Sequence, residues 1–134
     1  MNMPIKKYLG IDPGTVRIGL SVADSETRLA VPYDLLEGLT DAEAVEAILG
    51  ICRDEEVSDI VIGLPISRSS GPTAQTARSQ KFIDKIREKI KIPVTTVDER
   101  FSSKMAAKLN PKADDSVAAA IILQGHLDQL KMQN

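Results

Sequence analysis

Three carboxylates stand where an α/β protein would present them to a ligand. Asp12 ends a short apolar strand, Glu99 follows the last predicted strand, and Asp115 begins the last predicted helix. Ligands of α/β proteins bind at the sheet edge formed by the carboxyl ends of the strands. Carboxylate oxygens suit Mg²⁺ or Mn²⁺ rather than zinc. Two such ions about 3.5–4 Å apart would stabilise the attacking and leaving oxygens of a phosphodiester, so these residues indicate metal-dependent hydrolysis.

Each acid also has a purely structural explanation, which the spacing alone leaves open. Asp12 precedes a Pro-Gly pair and is a common type of turn residue. Glu99 lies in an Asp-Glu-Arg run that could be a surface ion-pair cluster. Asp115 and its neighbour Asp114 are both good N-caps for a helix. A cap and a metal ligand do not exclude each other when two adjacent acids are present.

The elements that must position these acids follow from hydrophobic periodicity. The first two strands flank a Pro-Gly turn and form a hairpin, and Pro32 suits the third strand to a sheet edge. The order of elements predicts an α/β fold of one domain, with a mixed sheet that is antiparallel at the hairpin, parallel after it, and flanked by helices. The predicted strands are residues 8–12, 17–23, 29–36, 59–64 and 93–97, and the predicted helices are residues 41–55, 73–91, 102–109 and 115–130.

Side-chain patterns predict how two of the helices pack. Thr40 or Asp41 can cap the first helix. In the last helix, the apolar stripe predicted to face the core consists of Val117, Ala120, Ile121 and Leu127.

Composition limits the class of protein. The longest wholly apolar run, residues 117–123, is too short to span a membrane, and the first residues show no signal peptide. A single cysteine, Cys52, excludes an intramolecular disulfide and a metal site built from cysteines. We therefore expect a cytoplasmic protein with no membrane partner.

The net charge of −2 hides a division along the chain. Residues 24–59 contain eleven acidic and two basic residues, a net charge of −9, whereas residues 66–104 contain nine basic and four acidic residues, a net charge of +5. A negative net charge is unusual for a domain that binds nucleic acid. The basic segment, however, includes the Asp-Glu-Arg run. The field near the three acids can therefore be positive in an acidic protein.

Four motifs occur in order along the chain, the first beginning at residue 10 and the last ending at residue 123. They are GIDPGTVRIG at 10–19, IVIGLP at 60–65 followed by a Gly-containing loop and a basic helix, VDERFSS at 97–103, and DSVAAAIIL at 115–123. Together they resemble the YqgF family of pre-16S rRNA nucleases, also described as Holliday junction resolvase-like. The resemblance implies an RNase H-like fold with Asp12, Glu99 and Asp115 as catalytic, metal-binding acids. It further implies Mg²⁺ or Mn²⁺, and cutting of structured RNA at the 5′ end of 16S rRNA or of branched DNA.

One feature departs from that family. Its members usually carry a longer loop, rich in Lys, Arg and Gly, before the final aspartate. Here only residues 105–114 intervene, with Lys108 and Lys112 as their bases. The three acids are intact, so the short loop bears on how substrate is gripped and chosen.

Four arginines are candidates for holding nucleic acid. Arg17 could contact a phosphate or pair with a surface acid, Arg100 adjoins Glu99, and Arg68 and Arg78 flank a polar loop. An aromatic content of 3% favours phosphate and shape contacts over base stacking.

Two other functions remain open at this point. An ATP-binding module of the actin, Hsp70 and sugar-kinase type has a similar first loop, but the chain is short for one and lacks a second Asp-x-Gly-Gly loop. A non-catalytic factor that binds nucleic acid or ribosome-assembly proteins would suit the acidic segment. The chain could be a monomer or a homodimer, and cutting of a junction would favour a dimer because the junction has two symmetric strands.

Overall fold

A mixed five-stranded sheet organises the chain. The structure is a computed structural model that describes residues 4–14, 16–64, 74–98 and 115–132. The predicted helix at 102–109 lies outside the described residues. The elements are β1 (Lys7–Pro13), β2 (Arg17–Asp24), β3 (Val31–Glu37), α1 (Asp41–Asp54), β4 (Asp59–Leu64), α2 (Ala74–Lys89), β5 (Val94–Asp98) and α3 (Asp115–Met132).

The strand order is β3-β2-β1-β4-β5. β2 is antiparallel to both β1 and β3, whereas β4 is parallel to both β1 and β5. The predicted mixed sheet is thereby confirmed. β3, which contains Pro32, lies at one edge, and the continuously apolar β4 lies inside the sheet, where both of its faces are covered.

The two faces of the sheet pack against different helices. Leu9 and Ile11 of β1 belong to a core with α1 and α2, whereas Tyr8 belongs to a second core with α3. Alternate residues of a strand point to opposite faces, so even-numbered positions of β1 face α3 and odd-numbered positions face α1 and α2. Each fully buried Leu or Ile in these cores contributes about 1.5–3 kcal/mol.

A capping box begins α1. The backbone N–H of Glu43 donates to Oγ1 of Thr40 over 3.2 Å, and the backbone N–H of Thr40 donates to Oε1 of Glu43 over 2.9 Å. Of the two caps that the sequence allowed, the structure uses Thr40. The hydrogen bonds from Thr40 hold the pKa of the Glu43 carboxyl below its usual range.

Replacing Thr40 by alanine should lower the free energy of unfolding by about 1 kcal/mol, because one helix N–H loses its acceptor. Since the pKa of Glu43 is lower in the folded protein than in the unfolded chain, that carboxylate stabilises the fold above its unfolded pKa and stops doing so as the pH falls. Urea unfolding of Thr40→Ala and wild type at pH 7 and pH 3 measures both effects. A difference between the two proteins that grows on acidification would contradict this account.

The buried face of α3 differs from the predicted stripe. Ala120 and Leu127 are buried as predicted, but Val117 and Ile121 are only partly buried. The helix is apolar around most of its circumference, so periodicity could not single out one face. No described helix has the length and apolarity needed to cross a membrane. The other buried apolar residues of α3 are Ala118, Ala119, Ile122 and Leu123.

Candidate active site

Asp12 lies near the carboxyl end of β1, on the face that α3 covers. Tyr8 packs in the α3 core, and Gly10 faces Ala119 and Leu123 of α3, so the alternation of the strand turns Asp12 to the same side. Its side chain is 8% exposed. A carboxylate in such a position is stable only with partners that compensate its charge.

A glycine brings Asp115 to the same place. Gly19 of β2 is the register partner of Asp12 in β1. A Cβ atom at Gly19 would overlap the backbone carbonyl of Asp115, so the first turn of α3 rests directly on the β2 backbone. Directly paired residues of antiparallel strands have Cα atoms about 4.5–5.5 Å apart. Asp12 and Asp115 are therefore neighbours at one edge of the sheet.

A second contact fixes the position of α3. The hydroxyl of Ser21 donates a buried hydrogen bond of 2.8 Å to the backbone carbonyl of Ala119. A Cβ atom at Gly10 would overlap the Ser21 hydroxyl and approach Ala119. Small residues at these positions therefore allow α3 to approach β1 and β2 closely, and this approach positions Asp115.

Arg17 forms an ion pair with one of the candidate catalytic acids. Its Nε lies 3.7 Å from Oδ2 of Asp115, and both side chains are partly exposed. Such a pair contributes only about 0–1 kcal/mol to stability. Of the two roles left open by the sequence, the structure shows Arg17 in an ion pair, and its acid is Asp115 rather than an unrelated surface residue.

The third acid, Glu99, lies outside the described residues, as do Arg68 and Arg100. The preceding residue, Asp98, ends β5 and pairs with Leu64 at the end of β4. The parallel strands β1, β4 and β5 thus end at the edge that carries Asp12. Within the described ranges, no three His, Cys, Asp or Glu side chains converge on a metal position.

The donors at this edge fit a hard divalent cation. Asp12 and Asp115 offer only carboxylate oxygens, which Mg²⁺ and Mn²⁺ prefer. The residues that softer metals prefer are elsewhere. Cys52 is buried in the α1 core, where burial raises the pKa of its thiol to about 11. His126, whose pKa burial lowers, lies eleven residues along α3 from Asp115, which is about 16 Å of helix.

On the opposite face of the same edge, a pocket of about 170 Å³ separates the β1–β2 turn from α2. Arg78, a candidate phosphate contact, is exposed and lines it together with Ser79 and Lys81. Sequence reasoning did not single out Ser79 or Lys81, since neither belongs to a motif. Gly19 belongs to the first motif, but its packing role was not predicted, although an isolated glycine in a strand is a known signal for a close backbone approach.

Known proteins resemble this chain over most of its length. A family model described as "RuvX: Holliday junction resolvase" matches residues 6–129. A protein of Corynebacterium jeikeium named "Putative pre-16S rRNA nuclease" is 37% identical over 91% of this chain and 86% of its own length. A protein of the same name from Rickettsia typhi is 32% identical over 98% of this chain and 91% of its own length.

A solved structure shares the fold. The structure of Thermus thermophilus RuvC in complex with a Holliday junction substrate superposes with a TM-score of 0.69, at 13% identity, over 96% of this chain and 97% of that one. At so low an identity the superposition bears on the fold alone, and it confirms the predicted RNase H-like architecture. The family model and the sequence relatives show that the chain belongs to the RuvX family of nucleases, which its motifs had indicated under the name YqgF.

Proposed function

We propose that this protein is a metal-dependent endonuclease that matures the 5′ end of pre-16S rRNA in the cytoplasm. The observation that carries the proposal is that Asp12 and Asp115 both lie next to Gly19 at one edge of the sheet. Relatives named for pre-16S rRNA cleavage support the choice of substrate.

Asp12, Glu99 and Asp115 would together hold Mg²⁺ or Mn²⁺. When bound, the ions would supply polarisation of the scissile phosphate and a nucleophilic water at neutral pH. Glu99 is included as the acid of the Asp-Glu-Arg motif that directly follows β5, and it lies outside the described residues. Because Asp12 is buried, its carboxylate is held in one position by packing, which suits a fixed ligand.

Arginine side chains would hold the substrate strand. Arg17 lies within ion-pair distance of Asp115, so its guanidinium is placed to neutralise a phosphate bound beside that acid. Arg78 lies on the far side of the β1–β2 turn, and we include Arg68 and Arg100 as further phosphate contacts. These contacts read the backbone rather than the bases, in keeping with cutting at a structured site.

The purified protein should cut an RNA that carries the 5′ end of pre-16S rRNA in the presence of Mg²⁺ or Mn²⁺, and EDTA should stop the reaction. Denaturing gels of end-labelled RNA show both the product and the cut position. Cutting that persists undiminished in EDTA would contradict the metal mechanism. Binding of the RNA without any cutting would favour a non-catalytic role in ribosome assembly.

Resolution of branched DNA is the second candidate function. The description of the matching family model and the structural similarity to RuvC bound to a junction favour it. A four-way DNA junction in the same assay decides between the two substrates. Paired, symmetric cuts in the junction, with the RNA left intact, would replace the rRNA substrate by DNA and predict a homodimer.

A further inference from the structure

The pocket beside the β1–β2 turn shares that turn with the candidate active site. Pro13, whose position in β1 faces away from α3, lines the pocket, and it directly follows Asp12, which faces α3. Gly14 continues the same wall, and α2 forms the opposite one. A volume of about 170 Å³ corresponds to roughly six water molecules in the liquid, enough for a phosphate group with part of its sugar.

A buried hydroxyl in this pocket has no protein partner in the described part of the chain. Ser79 is 5% exposed and lines the pocket, but no hydrogen bond joins its hydroxyl to another described residue. Buried polar groups are nearly always hydrogen-bonded, because an unpaired one has lost its hydrogen bonds to water without replacement. The unpaired hydroxyl therefore indicates a ligand that accepts a hydrogen bond inside the pocket.

The charges around the pocket favour an anion. Arg78 and Lys81 line it, and neither forms an ion pair with an acid in the described ranges. One acid, Asp41, also lines it, but its carboxylate lies 3.4 Å from Nζ of Lys85. The pocket is thus lined by two cationic side chains and by one acidic side chain, whose charge Lys85 already compensates.

We propose that this pocket binds a backbone phosphate of the substrate strand, with Ser79 donating a hydrogen bond and Arg78 and Lys81 supplying the charge. This inference rests on the proposed nuclease function. The strand would cross the sheet edge at Gly14, from the acids on one face to the pocket on the other. The ligand chemistry is that of a phosphate ester, which a free nucleotide shares, and the experiment separates the two sources.

Ser79→Ala is the most informative variant. It removes a buried hydroxyl that has no hydrogen-bond partner among the described residues, so the protein should be as stable as wild type or more so. Its affinity for a single-stranded oligonucleotide in EDTA should nevertheless fall about tenfold, the loss of one hydrogen bond to a charged group. Fluorescence anisotropy measures affinity and thermal unfolding measures stability. A fall in both, or in neither, would overturn the role of Ser79 as a phosphate donor.

Charge variants test the rest of the pocket against a matched control. Arg78→Ala and Lys81→Ala should each lower the slope of log affinity against log salt by about 0.7, the value for one phosphate contact on a single strand. Lys89→Ala changes an exposed lysine of the same helix that pairs with Glu46, away from the pocket, and should leave the slope nearly unchanged. Equal effects of Lys81→Ala and Lys89→Ala would reduce the pocket to a general basic surface.

Oligonucleotides with uncharged backbone linkages can identify the phosphate that the pocket binds. Single phosphates of the oligonucleotide are replaced in turn by the uncharged methylphosphonate. One of these replacements should weaken binding to the wild-type protein clearly. The same replacement should weaken binding to Arg78→Ala very little, because that variant has already lost the contact. Additive losses at every linkage would overturn the assignment. If AMP or inorganic phosphate competes at the affinity of the oligonucleotide, the pocket binds free nucleotides instead. Metal-dependent cleavage that continues in either case would leave the proposed function standing while the pocket assignment fails.

Discussion

Asp12→Asn should abolish metal-dependent cleavage while leaving the protein folded. Asparagine has nearly the same shape and keeps one oxygen, but it lacks the charge that a divalent cation requires. Losing an outer partner of a metal ligand costs about 10–100-fold, so losing a ligand should cost at least about 100-fold in activity. The single-turnover rate with saturating Mn²⁺, measured on the substrate that wild type cuts, gives the effect.

The matched control for this prediction lies on α3. Asp128→Asn makes the same chemical change at an exposed carboxylate that interacts with Gln124, far along the helix from Asp115. Its rate should equal that of wild type. Both variants should unfold near the wild-type temperature, because neither changes the packing of the apolar cores. If Asp12→Asn retained full activity, Asp12 would be the turn residue that its sequence context also allowed, and the site assignment would fail.

The sheet and the placement of two acids were readable from the sequence because their signals are local. A Pro-Gly turn between two apolar runs predicts a hairpin, and DIVIGL at 59–64 predicts an interior parallel strand. Parallel strands end at one edge of a sheet, so the same pattern also predicts the edge at which Asp12 lies. The motif resemblance added what spacing cannot supply, a class of substrate and a reason to prefer the catalytic interpretation of each acid.

Features that depend on contacts between distant segments were not readable. The partner of Arg17 is Asp115, which is 98 positions away in the chain, and nothing near Arg17 specifies it. Ser79 is notable only because it is buried without a partner in the described residues, a property of the packed structure rather than of a motif. The prediction of the buried face of α3 was partly wrong, because alanine and isoleucine occupy most sides of that helix.

The division of charge along the sequence has a structural explanation. The acidic α1 lies beside the basic α2, and two ion pairs join them, Asp41 with Lys85 at 3.4 Å and Glu46 with Lys89 at 3.3 Å. Much of the local excess of either sign is therefore compensated where the helices meet. The bases near the sheet edge, Arg78 and Lys81, are outside these pairs, so the positive charge is left where a substrate strand would pass.

Gly19→Ala should be strongly destabilising. The added Cβ would overlap the carbonyl of Asp115, which is backbone and cannot rotate away as a side chain can. Overpacking typically costs about 1–3 kcal/mol, and the rigid contact places this substitution at the upper end, near 3 kcal/mol. For a chain of this size that corresponds to a fall of about 10 °C in Tm. Because α3 must shift to relieve the overlap, Asp115 should move away from Asp12, and the surviving folded protein should also lose cleavage.

Gly125→Ala is a control on α3, the helix that packs on Gly19. It makes the same substitution but should change the stability in the opposite direction. Nothing lies within 4 Å of the position that its Cβ would occupy, and alanine is the better helix former. This variant should gain about 0.5–1 kcal/mol and keep full activity. Gly19→Ala should thus have a lower Tm and a lower cleavage rate than Gly125→Ala. A Gly19→Ala protein as stable and active as Gly125→Ala would show that α3 does not need the close approach at Gly19, and that the neighbourhood of Asp12 and Asp115 has another cause.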